Sequence, residues 1–231
     1  IAHAVEKVAG RMPVIAGTGS NSTREAIYYT RAAQEHGADA CLVVVPYYNK
    51  PSQEGLYRHF SKIADEGNLP VVLYNVPGRT GKSIELETVL RLADNANIVA
   101  IKEAGGSTDK VSDMVNRCNL CVLSGDDSFT MPLMAVGGQG VISVASNIVP
   151  GPMTEMVHAA LDGDFPRAQK LHLKYYPLFR DLFIETNPIP IKASLAMAGK
   201  IEEGYRLPLC EMRSGNRDIL RNTLQTLGII G

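Results

Sequence analysis

Four short apolar runs in this sequence end on groups that can bind or react. Val43-Val44-Val45 runs into Pro46-Tyr47-Tyr48-Asn49, and Val71-Val72-Leu73 into Tyr74-Asn75-Val76-Pro77-Gly78-Arg79-Thr80. Ile98-Val99-Ala100-Ile101 ends in Lys102-Glu103-Ala104, and Val122-Leu123 in Ser124-Gly125-Asp126-Asp127. Lys102 carries the most chemistry of these. An amine closing an apolar run sits in low dielectric, where desolvation disfavours the ammonium and leaves a neutral nucleophile that can form a Schiff base with a carbonyl. Position alone also admits a lysine whose ammonium reaches past the strand end to solvent. Tyr74 closes the preceding run, where a phenol can pass a proton to and from the lysine nitrogen, although a packed tyrosine would occupy the same place. Arg79 follows a Pro-Gly turn, where a guanidinium can hold a carboxylate by two parallel bonds; an ordinary surface arginine fits the position too.

The elements that position these residues follow from apolar patterning. Strands are expected at about 13–17, 41–46, 71–75, 98–102, 120–124 and 140–144. Their apolar runs are continuous rather than alternating, as in parallel strands buried on both faces. Helical segments lie between them. Ser22-Thr23-Arg24-Glu25 reads as a capping box, Pro51-Ser52 opens a second helix, and Gly37 closes the earlier one. Alternation at this spacing means βα units and a parallel sheet. After residue 144 the strands stop, and helices are expected at about 152–160, 166–184, 188–198 and 214–227, with Asn187-Pro188 capping the third. The chain thus reads as a βα region over 1–163 followed by a helical region over 164–231.

Six strands suit an open doubly wound sheet, whereas a closed (β/α)8 barrel needs eight. The opening residues read as the later part of an amphipathic helix, with Ala4, Val5 and Val8 at helical spacing and Gly10 as its stop. A barrel reading therefore has the first two βα units absent from this chain. Reactive groups at the carboxyl ends of strands favour the barrel.

Composition narrows the class. Net charge is −1, so nothing points to nucleic acid or to a charged membrane surface. No apolar run approaches the ~20 residues that span a bilayer. Four cysteines in 231 residues do not form a disulfide framework, and a reducing cytoplasm is expected. Cys118 and Cys121 have metal-like spacing, but no second Cys or His pair follows, so no metal is expected. Gly17-Thr18-Gly19 lacks the third glycine and downstream acid of a dinucleotide turn. Asp126-Asp127 suits a helix N-terminus as well as it suits a metal.

Taken together, Gly17-Thr18-Gly19-Ser20-Asn21, Pro46-Tyr47-Tyr48-Asn49, Pro51-Ser52-Gln53-Glu54-Gly55-Leu56, Leu73-Tyr74-Asn75-Val76-Pro77-Gly78-Arg79-Thr80-Gly81, Ile101-Lys102-Glu103-Ala104, Ser124-Gly125-Asp126-Asp127, Gly140-Val141-Ile142-Ser143 and Asn187-Pro188-Ile189-Pro190-Ile191-Lys192 resemble the dihydrodipicolinate synthase family, end to end and in order. The resemblance implies a TIM-barrel class I aldolase-type lyase of lysine biosynthesis that needs no cofactor. It implies that Lys102 forms an imine with pyruvate, whose enamine attacks L-aspartate 4-semialdehyde. Tyr74 would be the proton carrier beside the lysine, and Tyr48 the outer member of a relay that reaches the neighbouring subunit. Arg79 would hold the carboxylate of the semialdehyde, and the backbone at Gly125 and Ile142 would shape the pyruvate pocket. Asn21, Glu25 and Tyr47 match positions that bind L-lysine as a feedback inhibitor, although the capping box alone also explains Glu25. A homo-oligomer, as a dimer of dimers, is implied.

This sequence departs from the family pattern at its start. The Gly-Thr-Thr-Gly-Glu segment that binds the pyruvate carboxylate is absent, which predicts a fragment with an unpaired edge at 13–17 and weakened activity. Related lyases of the N-acetylneuraminate type share the lysine and tyrosine but generally lack an arginine at the position of Arg79. An inactive subunit is the remaining alternative.

Overall fold

Val71-Val72-Leu73 and Ile98-Val99-Ala100-Ile101 are rich in β-branched residues and free of glycine and proline, and both form strands. The computed structural model describes residues 1–231 and places six strands in one sheet. They are β1 (Ile15–Gly17), β2 (Ala40–Val44), β3 (Val71–Asn75), β4 (Ile98–Glu103), β5 (Cys121–Ser124) and β6 (Gly140–Val141), in chain order across the sheet. Pairing from β1 to β5 is parallel. An order that never reverses is singly wound, which removes the doubly wound alternative, whose strand order reverses at a switch point. Register places Tyr74 opposite Lys102 and Asn75 opposite Glu103.

The chain forms two compact units. The first comprises Ile1–Gly125 and Val136–Gly140. Its helices are α1 (Ala2–Val8), α2 (Thr23–Glu35), α3 (Gln53–Glu66), the single turn α4 (Pro77–Thr80), α5 (Leu86–Ala93) and α6 (Thr108–Arg117). Helices α2, α3, α5 and α6 each pack on the strand that follows them, and on one another in sequence. Leu56, Phe60, Ile63, Val71, Leu73, Leu92 and Ile101 are buried between the layers. Burial on both faces holds for most of β3 and β4, whereas β1, β2 and β5 alternate. The expectation of continuous burial therefore applies to the two central strands of the sheet.

Serine caps set three helix starts. Ser22, Ser52 and Ser107 side chains accept from the backbone N–H of Glu25, Gly55 and Lys110. The expected capping box is only half formed. Ser22 caps α2, but the Glu25 carboxylate accepts from Ser20 Oγ at 2.8 Å rather than from the Ser22 backbone. Ser20 Oγ takes the Ser22 N–H instead, at 3.1 Å, so the serine relays the contact the glutamate was expected to make.

The second unit comprises Asp126–Ala135 and Val141–Gly231. Its helices are α7 (Thr130–Ala135), α8 (Pro150–Leu161), α9 (Phe165–Asp181), α10 (Ile189–Met197) and α11 (Ser214–Thr226). Met153, Met156, Leu178, Phe179, Leu182, Leu220 and Leu224 close its core. Truncating a leucine in such a core to alanine costs about 2–5 kcal/mol. Two expectations are corrected here. The strand expected over 140–144 ends at Val141, because 145–147 turn into a 3₁₀ helix whose entry is held by side chains. Asp127 Oδ2 accepts from Val144 N and Ala145 N at 3.2 and 3.0 Å, and Ser143 Oγ accepts from Ser146 N at 2.8 Å. Asn187 does not cap α10; Pro188 occupies the cap position, and the bond between the two is cis. No helix is long and apolar enough to cross a membrane.

Candidate active site

Side chains alternate along a strand, so Tyr74 and Lys102 share one face of the sheet while Asn75 and Glu103 share the other. On the first face Lys102 Nζ lies 4.2 Å from the centroid of the Tyr74 ring, and both residues are half-buried. An amine against a phenol at adjacent strand ends is the arrangement that a nucleophile with its own proton carrier requires. It also fits the attraction between an ammonium and an aromatic face.

Gly125, directly after β5, makes room for that lysine. A Cβ at this position would sit 3.1 Å from Lys102 Cε and 2.7 Å from the Ala104 methyl, and the Gly125 N–H donates to Glu103 O at 2.8 Å. The family resemblance implies a role for the Gly125 backbone, and the close approach of Lys102 and Ala104 gives a steric reason for glycine. Gly125→Val is expected to displace the lysine stem and lower kcat by about 10²-fold, as a displacement near 1 Å at a reacting group does. Steady-state kinetics beside a thermal melt checks this, since a folded protein with full activity would contradict it.

Arg79 stands exposed on α4, the turn that leaves β3. Gly81 closes the turn with a φ of 69°, and Thr80 Oγ1 lies 2.8 Å from Lys82 O and 3.2 Å from Val76 O. Tyr48 is 90 % exposed and holds a φ of 70°, a backbone state that bulky residues rarely adopt. An asparagine bridge holds it there. Asn21 Nδ2 donates to Tyr47 O at 3.2 Å, Asn49 Nδ2 donates to Asn21 O at 2.9 Å, and Asn49 N donates to Tyr47 O at 2.9 Å. The structure thus joins Asn21 to Tyr47, while the Glu25 carboxylate is engaged by Ser20. Ile142 follows β6 directly, half-buried in the second unit.

The discarded signals have structural explanations. Gly19 is required by close packing, since a Cβ there would meet Val44 N at 2.5 Å. Asp127 is 1 % exposed and takes the N–H groups of Val144 and Ala145 at the entry of the 145–147 3₁₀ helix. Cys118 donates to Met114 O, and burial pushes the Cys121 thiol up, away from thiolate. No group of three or more His, Cys, Asp or Glu converges as metal ligands. The sequence reading missed a polar cluster of the buried Asn75 and Glu103 with the half-buried Lys110, on the opposite face of β3 and β4. The available signal was a pair of polar residues, each one step beyond the tyrosine or the lysine on a strand that is otherwise apolar.

The sheet is singly wound, parallel α/β, and presents Lys102 against Tyr74 at adjacent strand ends. The chain belongs to the dihydrodipicolinate synthetase family, which it matches over residues 1–227. It is 54 % identical over 228 residues to the 4-hydroxy-tetrahydrodipicolinate synthase of Thermodesulfovibrio yellowstonii, covering 98 % of this chain and 78 % of that protein. The crystal structure of dihydrodipicolinate synthase from Aquifex aeolicus superposes with a TM-score of 0.97 at 49 % identity, over 99 % of this chain and 79 % of that one. The chloride-inhibited dihydrodipicolinate synthase from Acinetobacter baumannii, complexed with pyruvate, superposes with a TM-score of 0.97 at 46 % identity, over 99 % and 79 %.

Proposed function

We propose that this chain condenses pyruvate with L-aspartate 4-semialdehyde to give 4-hydroxy-tetrahydrodipicolinate, in lysine biosynthesis. The observation that carries the residue assignment is the registered Tyr74–Lys102 pair, with the amine over the phenol ring. Neutral Lys102 adds to the ketone of pyruvate, and loss of water gives the imine. The methyl carbon then loses a proton and becomes an enamine, with Tyr74 carrying protons to and from the nitrogen and the carbinolamine oxygen. The enamine carbon attacks the aldehyde and forms the carbon–carbon bond. The amine of the semialdehyde adds to the imine carbon and expels Lys102, which closes the ring and restores the enzyme. One water leaves overall, and the imine itself is the electron sink, so no cofactor enters.

The remaining assignments follow from the same reading. The fold is a (β/α)8-type TIM barrel, with residues 1–163 carrying the active site and 164–231 the helical region. Gly125 and Ile142 shape the pyruvate pocket. Tyr48, projecting on its strained turn, serves the relay of a neighbouring subunit in a dimer of dimers. Asn21, Glu25 and Tyr47 face L-lysine as a feedback ligand. The enzyme works in the cytoplasm.

Arg79 holds the carboxylate of the semialdehyde. Arg79→Ala is expected to raise KM for the semialdehyde by about tenfold or more, the worth of a charge-assisted contact, while KM for pyruvate stays near its original value. Initial rates with each substrate varied in turn check this. A coupled assay with pyruvate and the semialdehyde, run beside cleavage of N-acetylneuraminate, tests the function as a whole. Turnover only in the first assay supports it; turnover only in the second makes the chain a sugar-acid lyase, and none in either makes it an inert subunit.

A further inference from the structure

Behind the Lys102–Tyr74 pair, on the other face of the same two strands, lies a buried ionic cluster that the chemistry above does not use. Glu103 is 1 % exposed and Asn75 is fully buried. The Glu103 carboxylate accepts from Asn75 Nδ2 at 2.8 and 3.0 Å, from Gly105 N at 2.6 Å and from Lys110 Nζ at 3.0 Å. Asn75 Oδ1 accepts from Ile84 N at 3.0 Å and from Ser83 Oγ at 3.2 Å. Lys110 Nζ also donates to Ile84 O at 2.8 Å. All these groups lie in the first compact unit.

Three features of this cluster bear on the site. The Asn75–Glu103 fastening stands one residue beyond the Tyr74–Lys102 pair in the same register, so a slip that separates amine from phenol must first break it. The segment that carries Arg79 leaves β3 at Asn75 and returns at Ser83 and Ile84 to the side chain of that same asparagine, so one amide closes the loop at both ends. Lys110 grips the far end of the loop and the Glu103 carboxylate together. A buried ion pair is a poor way to gain stability alone, because well-packed apolar residues commonly do as well. What it supplies here is directional fixing of two strand ends and a loop.

We propose that Asn75, Glu103 and Lys110 are positioning residues: a single buried network sets the Lys102–Tyr74 geometry and the placement of Arg79. The proposal rests on the reading in which Lys102 forms the pyruvate imine and Arg79 holds the second substrate. None of the three reaches the reacting atoms, since they occupy the opposite face of the strands.

The test uses Glu103→Gln and Lys110→Met, with kcat normalised to the sites that borohydride traps in the presence of pyruvate. The Glu103 oxygens meet only donors, so the amide of Glu103→Gln must turn its own N–H groups against at least one of them. Glu103→Gln is expected to lose about 10²-fold in kcat and to trap pyruvate more slowly, as misplacement of a reacting group does. Lys110→Met frees the loop end and leaves the Glu103 carboxylate without its cation, so KM for the semialdehyde should rise severalfold, and trapping with pyruvate should slow less than in Glu103→Gln. A purely structural cluster predicts lower melting temperatures with trapping rate, kcat and both KM values unchanged, and that result overturns the proposal. Should Glu103→Gln not fold, an unchanged semialdehyde KM in Lys110→Met overturns it. Absence of trapping in the wild-type enzyme would instead overturn the Lys102 reading, and the proposal with it.

Discussion

Lys102→Met is expected to abolish condensation, with a fall in kcat of at least about 10⁴-fold, as removal of a covalent nucleophile causes. Methionine keeps the unbranched stem that lies against Gly125, so the fold should survive. The loss arises because every later step is built on the imine. Without it the methyl protons of pyruvate have no electron sink, and the enamine does not form. Lys102→Arg should be equally inactive, because a guanidinium does not become a neutral nucleophile. Continuous assay with pyruvate and the semialdehyde checks both variants. Activity within tenfold of wild type in either would remove the lysine from the mechanism.

Tyr74→Phe carries the second-largest expected effect, a fall in kcat of about 10²–10⁴-fold, the usual worth of a positioned general acid–base. Phenylalanine keeps the ring over which Lys102 Nζ sits, so the hydroxyl alone is removed. Pyruvate should still be trapped by borohydride, but more slowly, because carbinolamine dehydration has lost its proton carrier. KM for pyruvate should change little compared with kcat. A variant in which kcat holds and only stability drops would reduce Tyr74 to a packed tyrosine, the alternative its position always allowed. Separate determination of kcat and KM distinguishes the two.

Strand ends explain why so much of the candidate site was legible. In a buried parallel sheet the apolar run stops where the chain meets solvent or substrate, so Tyr74, Lys102 and the glycine after Ser124 stand out by contrast with the residues before them. β3 spans 71–75 as expected, for the same reason. Local patterning failed where the deciding contact came from far along the chain. The 140–144 run is apolar enough for a strand, yet Asp127, seventeen residues earlier, takes the N–H of Val144 and turns the backbone away. The Glu25 side chain takes the Ser20 hydroxyl, which itself accepts the Ser22 N–H that a capping box would give to the glutamate. The pair Asn187-Pro188 reads as a cap followed by a first-turn proline, whereas Pro188 itself occupies the cap position. Glu103 and Asn75 went unassigned because strand alternation hides them from the reactive face, and because their partners Ser83, Ile84 and Lys110 lie on other elements.

The central claim, a pyruvate imine on Lys102, is tested most directly by borohydride reduction in the presence of pyruvate followed by peptide mapping of the trapped protein. The account predicts a single N-carboxyethyl adduct on Lys102, absent when pyruvate or borohydride is omitted. No adduct, or an adduct on a different lysine with Lys102 unmodified, would contradict it.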